Sequence, residues 1–150
     1  MIKKISATLI FLISICAYSF SQGHIEHIKN QQYMNHQGKI HCGNLSNDNL
    51  SERVCANLAF QKSDSLLIIT YDSLLKVVKT YHSDNFKLKL EKMQQNWRKM
   101  RDSHCGIIYD SYENCGACHS RSIAYLNCLK ELTDNRIKEL KKLKLNISEE

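Results

Sequence analysis

The sequence predicts an all-α protein, a small antiparallel bundle of about three helices held by disulfides. Three observations predict it. Apolar residues recur at helical spacing through three long stretches. The 150-residue chain contains no proline and only five glycines, so little interrupts those stretches. Beyond an apolar leader that contains Cys16, the remaining six cysteines are an even number, the arithmetic of a disulfide framework in an oxidising compartment.

The leader comes first. Lys3 and Lys4 precede a mainly apolar run from Ile5 to Phe20, the pattern of a secretory signal peptide over residues 1–21. Ser19-Phe20-Ser21 supplies the small residues that cleavage before Gln22 requires, a cut after Ser19 being the alternative. The run is short for a membrane anchor, and Ile15 stands where a lipoprotein signal needs a small residue before Cys16. The expected protein is therefore exported, periplasmic or secreted, with no transmembrane segment in its mature form. The leader holds two lysines and no acid, so its removal lowers the formal charge from +6 to +4. That charge is too mild and too mixed for a nucleic-acid binder.

Residues 22–48 are polar, rich in Gln, Asn and His, and lack apolar periodicity, which predicts a flexible arm. His24, Glu26, His27, His36 and His41 carry metal-binding side chains, but an arm that must be ordered around an ion argues against a dedicated site, so no metal is expected. Asn49 and Glu52 have capping-box spacing and open the first helix. Along it Phe60, Leu67, Leu74 and Tyr81 recur every seven positions, with Tyr71 and Val78 on the adjacent ridge. The β-branched run Ile68-Ile69-Thr70 prefers strand locally, yet the helical pattern on both sides should override it.

Ser83-Asp84 marks the second helix start. Behind it Phe86, Leu90, Met93, Trp97, Met100, His104 and Ile107 step by four and three to about Tyr112, predicting one buried stripe with Trp97 as a core anchor. Lys87, Lys89, Lys92, Arg98 and Lys99 form a solvated face or a contact surface for an anionic partner. A turn follows around Asn114 to Cys118. From Ser120, Ile123, Leu126, Leu129, Leu132, Arg136 and Leu140 mark a third helix, which fades into a charged tail at residues 146–150.

These elements carry a pattern: Cys55-Ala56, Asp64 to Leu67, Tyr71 to Leu74, then Gln94-x-x-Trp97-x-x-x-Arg101-Asp102-x-x-Cys105, then Cys128-x-x-x-Leu132-Thr133-x-x-Arg136-x-x-Glu139-Leu140. In this the chain resembles the small exported proteins of the lysozyme inhibitor LprI N-terminal-like family, over roughly residues 42 to 143. The resemblance implies a helical domain over residues 49–145 and, for some members, inhibition of lysozyme; the fold transfers more securely than the activity. Two departures stand out. Relatives commonly have a glycine-rich turn where this chain has Cys115 and Cys118, and an asparagine where it has Ile68, ahead of Tyr71.

Bridging Cys105 to Cys128 would close a loop of about 23 residues between two helices, stabilising by about 3 kcal/mol in the chain-entropy model. Cys42 with Cys55 would pin the arm to the first helix, leaving Cys115 and Cys118 as a local pair or free thiols. Sequence alone leaves the connectivity open. Trp97, Arg101, Asp102, Leu132, Thr133 and Arg136 form the structural signature, the charged members being suited to charge-assisted hydrogen bonds between helices. No catalytic constellation is visible, so the expectation is a non-enzymatic binding protein without a cofactor, its partner a lysozyme or another secreted protein, acting by steric occlusion.

One rival comes from Cys115-Gly116-Ala117-Cys118-His119, the Cys-x-x-Cys-His signature of covalent haem c attachment. It spans five residues, against about a hundred in the family pattern, and no Met follows it as an axial ligand. A thioredoxin-like reading of the same pair lacks the βαβ surroundings of that fold. A further alternative is an envelope structural protein that binds polymers. Lysozymes of the animal type are themselves basic, so a +4 protein gains no long-range steering toward them.

Overall fold

A computed structural model describes residues 27–43, 48–112, 115 and 118–148. The leader with Cys16, and His24 and Glu26, lie outside them. The chain divides into two compact units, Met1–Asn35 and His36–Glu150. In the first, residues 27–29 form a helical turn in which Gln31 Nε2 lies 2.8 Å from His27 Nε2. A 3-10 helix, Gln32–Lys39, follows within the stretch read as a flexible arm. Such a helix needs only hydrogen bonds to the third residue back and no apolar stripe, so periodicity does not reveal it.

Three long helices make up the second unit: α1 (Asn49–Tyr81), α2 (Asp84–Asp110) and α3 (His119–Ser148). Among the described residues there is no strand. The first helix is capped one residue earlier than its sequence suggests. Asp48, not Asn49, accepts the Ser51 N–H at 2.8 Å; a carboxylate caps as well as an amide and adds its charge at the positive end of the helix dipole. Helix α1 then runs unbroken through Ile68-Ile69-Thr70.

Only His82 and Ser83 separate α1 from α2. The His82 N–H closes α1 on the Val78 carbonyl at 2.9 Å, and Ser83 Oγ opens α2 by accepting from the Phe86 N–H at 3.3 Å. So short a link forces the two helices to run antiparallel. Helix α3 returns parallel to α1: Lys144 Nζ donates to Ser73 Oγ at 2.6 Å, and His82 Nε2 lies 3.4 Å from the Ile147 carbonyl oxygen. The apolar core gathers where these ends meet, from Leu67, Tyr71, Leu74, Val78, Leu90, Ile137 and Leu140, with Phe86, Trp97 and Leu143 packed against it.

The seven-residue ladder of α1 is buried at Phe60, Leu67 and Leu74, but Tyr81 is 73% exposed because the last turn outruns the core. Helix α3 buries Ile123, Leu126, Leu129, Arg136 and Leu140 as its spacing predicts, adds Thr133 and Ile137, and leaves Leu132 half-buried. It continues to Ser148 rather than fading.

Helix α2 departs most from expectation. Its buried line is Leu90, Gln94, Arg101 and Cys105, with Trp97 half-buried beside it. Met93, Met100, His104 and Ile107, all expected inside, are exposed. The helix is thus turned away from its most apolar face. The cause is that its arginine finds partners on both neighbouring helices.

Two of the bridges staple this arrangement. Cys42–Cys55 ties the segment before α1 to its first turns, and Cys105–Cys128 joins α2 to α3, with Cα atoms 5.5 and 5.7 Å apart.

Candidate functional site

Arg101 is the largest fully buried side chain, 1% exposed. Its Nη1 donates to Asp64 Oδ1 of α1 and to Thr133 Oγ1 of α3, both at 3.2 Å. Nε donates to the neighbouring Asp102 at 2.9 Å. The guanidinium also lies 5.6 Å from the Phe60 ring centre and 5.3 Å from that of Trp97, within cation–π range. One planar fork therefore binds all three helices at one register.

A second arginine completes the cluster. Arg136 Nε donates to Gln94 Oε1 at 3.0 Å, Nη1 to Glu139 at 2.8 Å, and the guanidinium sits 5.5 Å from the Trp97 ring centre. Trp97 thus lies within cation–π range of both guanidinium groups. Gln94 Nε2 and Arg136 Nη2 are buried with no hydrogen-bond partner among the described residues. Of the three carboxylates in the cluster, Asp64 is the most enclosed, at 12% side-chain exposure, against 30% for Asp102 and 62% for Glu139. What it does chemically is join α1, α2 and α3 through charged hydrogen bonds.

Met93, Met100 and Ile107 are seven residues apart and so share one face of α2, at 37%, 47% and 69% exposure. His104 is exposed between them, and Lys89, Lys92 and Lys99 are exposed along the adjoining face. Lys87 is instead paired with Glu91 at 3.7 Å. An apolar strip edged by cations is thus left to solvent.

The turn between α2 and α3 forms the third feature. Cys115 and Cys118 are joined, with Cα atoms 5.5 Å apart, and the Cys118 N–H donates to the Cys115 carbonyl at 3.1 Å. Gly116 and Ala117 lie outside the described residues. Cys118 Sγ accepts the Arg121 N–H at 3.4 Å, the position of a helix N-cap. The Arg121 guanidinium lies 3.7 Å from the Tyr109 ring centre, donates from Nε to the Tyr109 carbonyl at 2.7 Å, and reaches Asp110 at 3.4 Å. His119 Nδ1 is buried without a partner among the described residues. Among those residues no three His, Cys, Asp or Glu side chains converge as metal ligands.

Tyr125 packs edge-on to Tyr109 at 5.7 Å. Burial first, then the Asp102 carboxylate, pushes its phenol up from 10.0 to about 12, while Arg101 pulls the other way. Between those values the folded protein keeps a proton that the unfolded chain has lost. Stability from this group is complete below pH 10 and is lost as pH rises toward about 12. Urea midpoints should fall across that window, and fall less in Tyr125→Phe; equal slopes in the two proteins would remove Tyr125 as the source. Asp134 shifts downward: burial raises its pKa, but hydrogen bonds from Lys130 and Ser63 outweigh burial.

Asp64 and Gln94 enter the sequence reading only as positions of the family pattern, with no contact assigned to them, and Tyr109 and Arg121 do not enter it. For Gln94 and Arg101 a signal existed: two polar residues seven apart on one line with Leu90 and Trp97. Nothing in the chain marked Tyr109 and Arg121, which meet only across the turn.

A three-helix scaffold locked by a buried ion-pair cluster and cysteine bridges, with an exposed apolar strip on α2, defines a small disulfide-bonded all-α protein. The chain belongs to the lysozyme inhibitor LprI family, whose model matches residues 42–140. No curated protein and no solved structure matches the chain. Among the described residues, no helix is long and apolar enough to cross a membrane.

Proposed function

We propose that this protein is an exported, non-enzymatic inhibitor that blocks a lysozyme by covering its cleft, with the Met93, Met100 and Ile107 face of α2 as the contact. Membership of the lysozyme inhibitor LprI family supports the partner class. The disulfides support a periplasmic or secreted location. The observation that carries the reading is the rotation of α2, which hides an arginine and shows two methionines and an isoleucine. Methionine adapts its shape to a partner, and apolar contact does not require the charge attraction that two basic proteins lack.

A lysis assay on lysozyme-treated cells tests both parts. The protein in excess should slow clearing, and the triple variant M93S/M100S/I107S should weaken inhibition by about tenfold or more, the loss expected when central contacts are removed. The replaced side chains are exposed, so the fold should survive. Undiminished lysis with the unaltered protein would sink the inhibitor reading; full inhibition by the variant would sink the surface.

The exposed Lys89, Lys92 and Lys99 favour a second reading, binding to an anionic envelope polymer. Salt-sensitive retention on an anionic glycan would support it. The protein is proposed to carry no haem: with Cys115 and Cys118 bonded to each other, neither sulfur is available for a thioether. A Soret band surviving acid-acetone extraction would overturn that part.

A further inference from the structure

We propose that Cys115–Cys118 is a thiol–disulfide exchange centre, oxidising thiols of a partner molecule, a property independent of lysozyme binding. The three bridges differ in what surrounds them. Cys105–Cys128 joins two helices with both residues buried, while Cys42–Cys55, whose Cys42 is exposed, closes a longer loop, so loop length and not access alone sets the third bridge apart. Cys115–Cys118 is only half-buried and has a sequence separation of 3, the smallest of the set. A loop so short constrains the unfolded chain least, so opening it should leave the fold standing.

The two sulfurs are also unequal. Cys118 Sγ caps α3, accepting the Arg121 N–H at 3.4 Å, whereas Cys115 precedes the helix. A negative charge on Cys118 would be stabilised by that N–H and by the aligned dipoles of a 30-residue helix. The Arg121 side chain is held in place by Tyr109 and Asp110, which fixes the turn that offers the N–H. Cys118 is therefore the better leaving group, and a thiolate should attack Cys115.

The chemistry balances as follows. A partner thiolate forms an S–S bond to Cys115 while the Cys115–Cys118 bond breaks and its electron pair leaves on Cys118. A second partner thiolate attacks the partner sulfur of this mixed disulfide, forming the partner's own disulfide and releasing Cys115 as thiolate, which takes up a proton. The partner dithiol loses two electrons and the Cys115–Cys118 pair gains them. A monothiol achieves the same through two molecules.

The test uses the full mature protein in graded thiol buffers, with alkylation and peptide mass mapping. Glutathione should open Cys115–Cys118 at least about tenfold faster than Cys105–Cys128, with the helical circular dichroism unchanged. Offered oxidised glutathione, Cys118→Ser should keep glutathione as a mixed disulfide on Cys115, the Cys115 thiolate displacing one glutathione thiolate as leaving group. In Cys115→Ser, the remaining Cys118 thiol should react with iodoacetamide with a midpoint below the ordinary cysteine value of about 8.5. A reduced, unfolded two-cysteine protein replaces glutathione in the second arm; oxidation of that protein faster than of the monothiol assigns the centre to protein dithiols, and the reverse to small thiols. Opening no faster than the buried bridge, or a Cys118 midpoint at or above the ordinary value, would overturn the proposal.

Discussion

Replacing Arg101 with alanine should lower the free energy of unfolding by about 3–5 kcal/mol, the penalty for leaving a buried charge without its partner. Asp64 is the group left behind. Its side chain is 12% exposed and 3.2 Å from the Arg101 Nη1, and the guanidinium it would lose lies 5.6 and 5.3 Å from the Phe60 and Trp97 ring centres. Thr133, wholly buried, would lose its donor in the same step. Urea unfolding followed by circular dichroism measures the loss. A companion variant separates charge from packing: R101M/D64L removes both charges and keeps the volume, and should recover most of the stability, because paired burial of ions is costly to assemble. A loss below about 1 kcal/mol in R101A, as for an exposed pair, would show that the cluster is hydrated in solution.

Removing the Cys105–Cys128 bridge as C105A/C128A should cost about 3 kcal/mol, from the entropy the unfolded chain regains over its 23-residue separation. The cavity cost is small, since alanine keeps Cβ, so the loss reports chain entropy. C115A/C118A provides the contrast, at about 2 kcal/mol or less from its three-residue separation. Equal losses from the two pairs would refute loop length as the cause. Arg101 and Cys105 sit one turn apart on α2, so the two large effects should not add when combined.

Much of the fold was legible. Three helices followed from apolar spacing, Ser83 from its capping chemistry, and the all-α class from those three patterns together with the lack of proline and the scarcity of glycine. Helix α1 shows the strength of a long consistent pattern: a β-branched triplet in its middle did not break it. Helix α2 shows the weakness of the same method. Its spacing admits two faces about a third of a turn apart, one through Met93, Met100 and Ile107 and one through Gln94, Arg101 and Cys105. Hydropathy selects the first, and the protein buries the second.

The candidate surface was illegible for the same reason. A methionine on a regular stripe reads as core whenever the helix is considered alone, because nothing within the helix tells it which side its neighbours occupy. The cap at Cys118 was likewise invisible: cysteine is not a customary N-cap, and only the start of α3 at His119 puts its sulfur over the Arg121 N–H.

The sequence by itself determined the local structure: which stretches are helical, how tightly His82 and Ser83 turn the chain, and that its cysteines suit an oxidising compartment. These depend on neighbours within a few residues, whose propensities and caps act over one helical turn. Which face of α2 turned inward was decided only by the tertiary structure. Burying Arg101 is unfavourable until Asp64 and Thr133 arrive from helices far away in the chain, and it becomes favourable only when both are present. That condition is set by long-range complementarity of charge and hydrogen bonding, which no periodicity in a single helix contains.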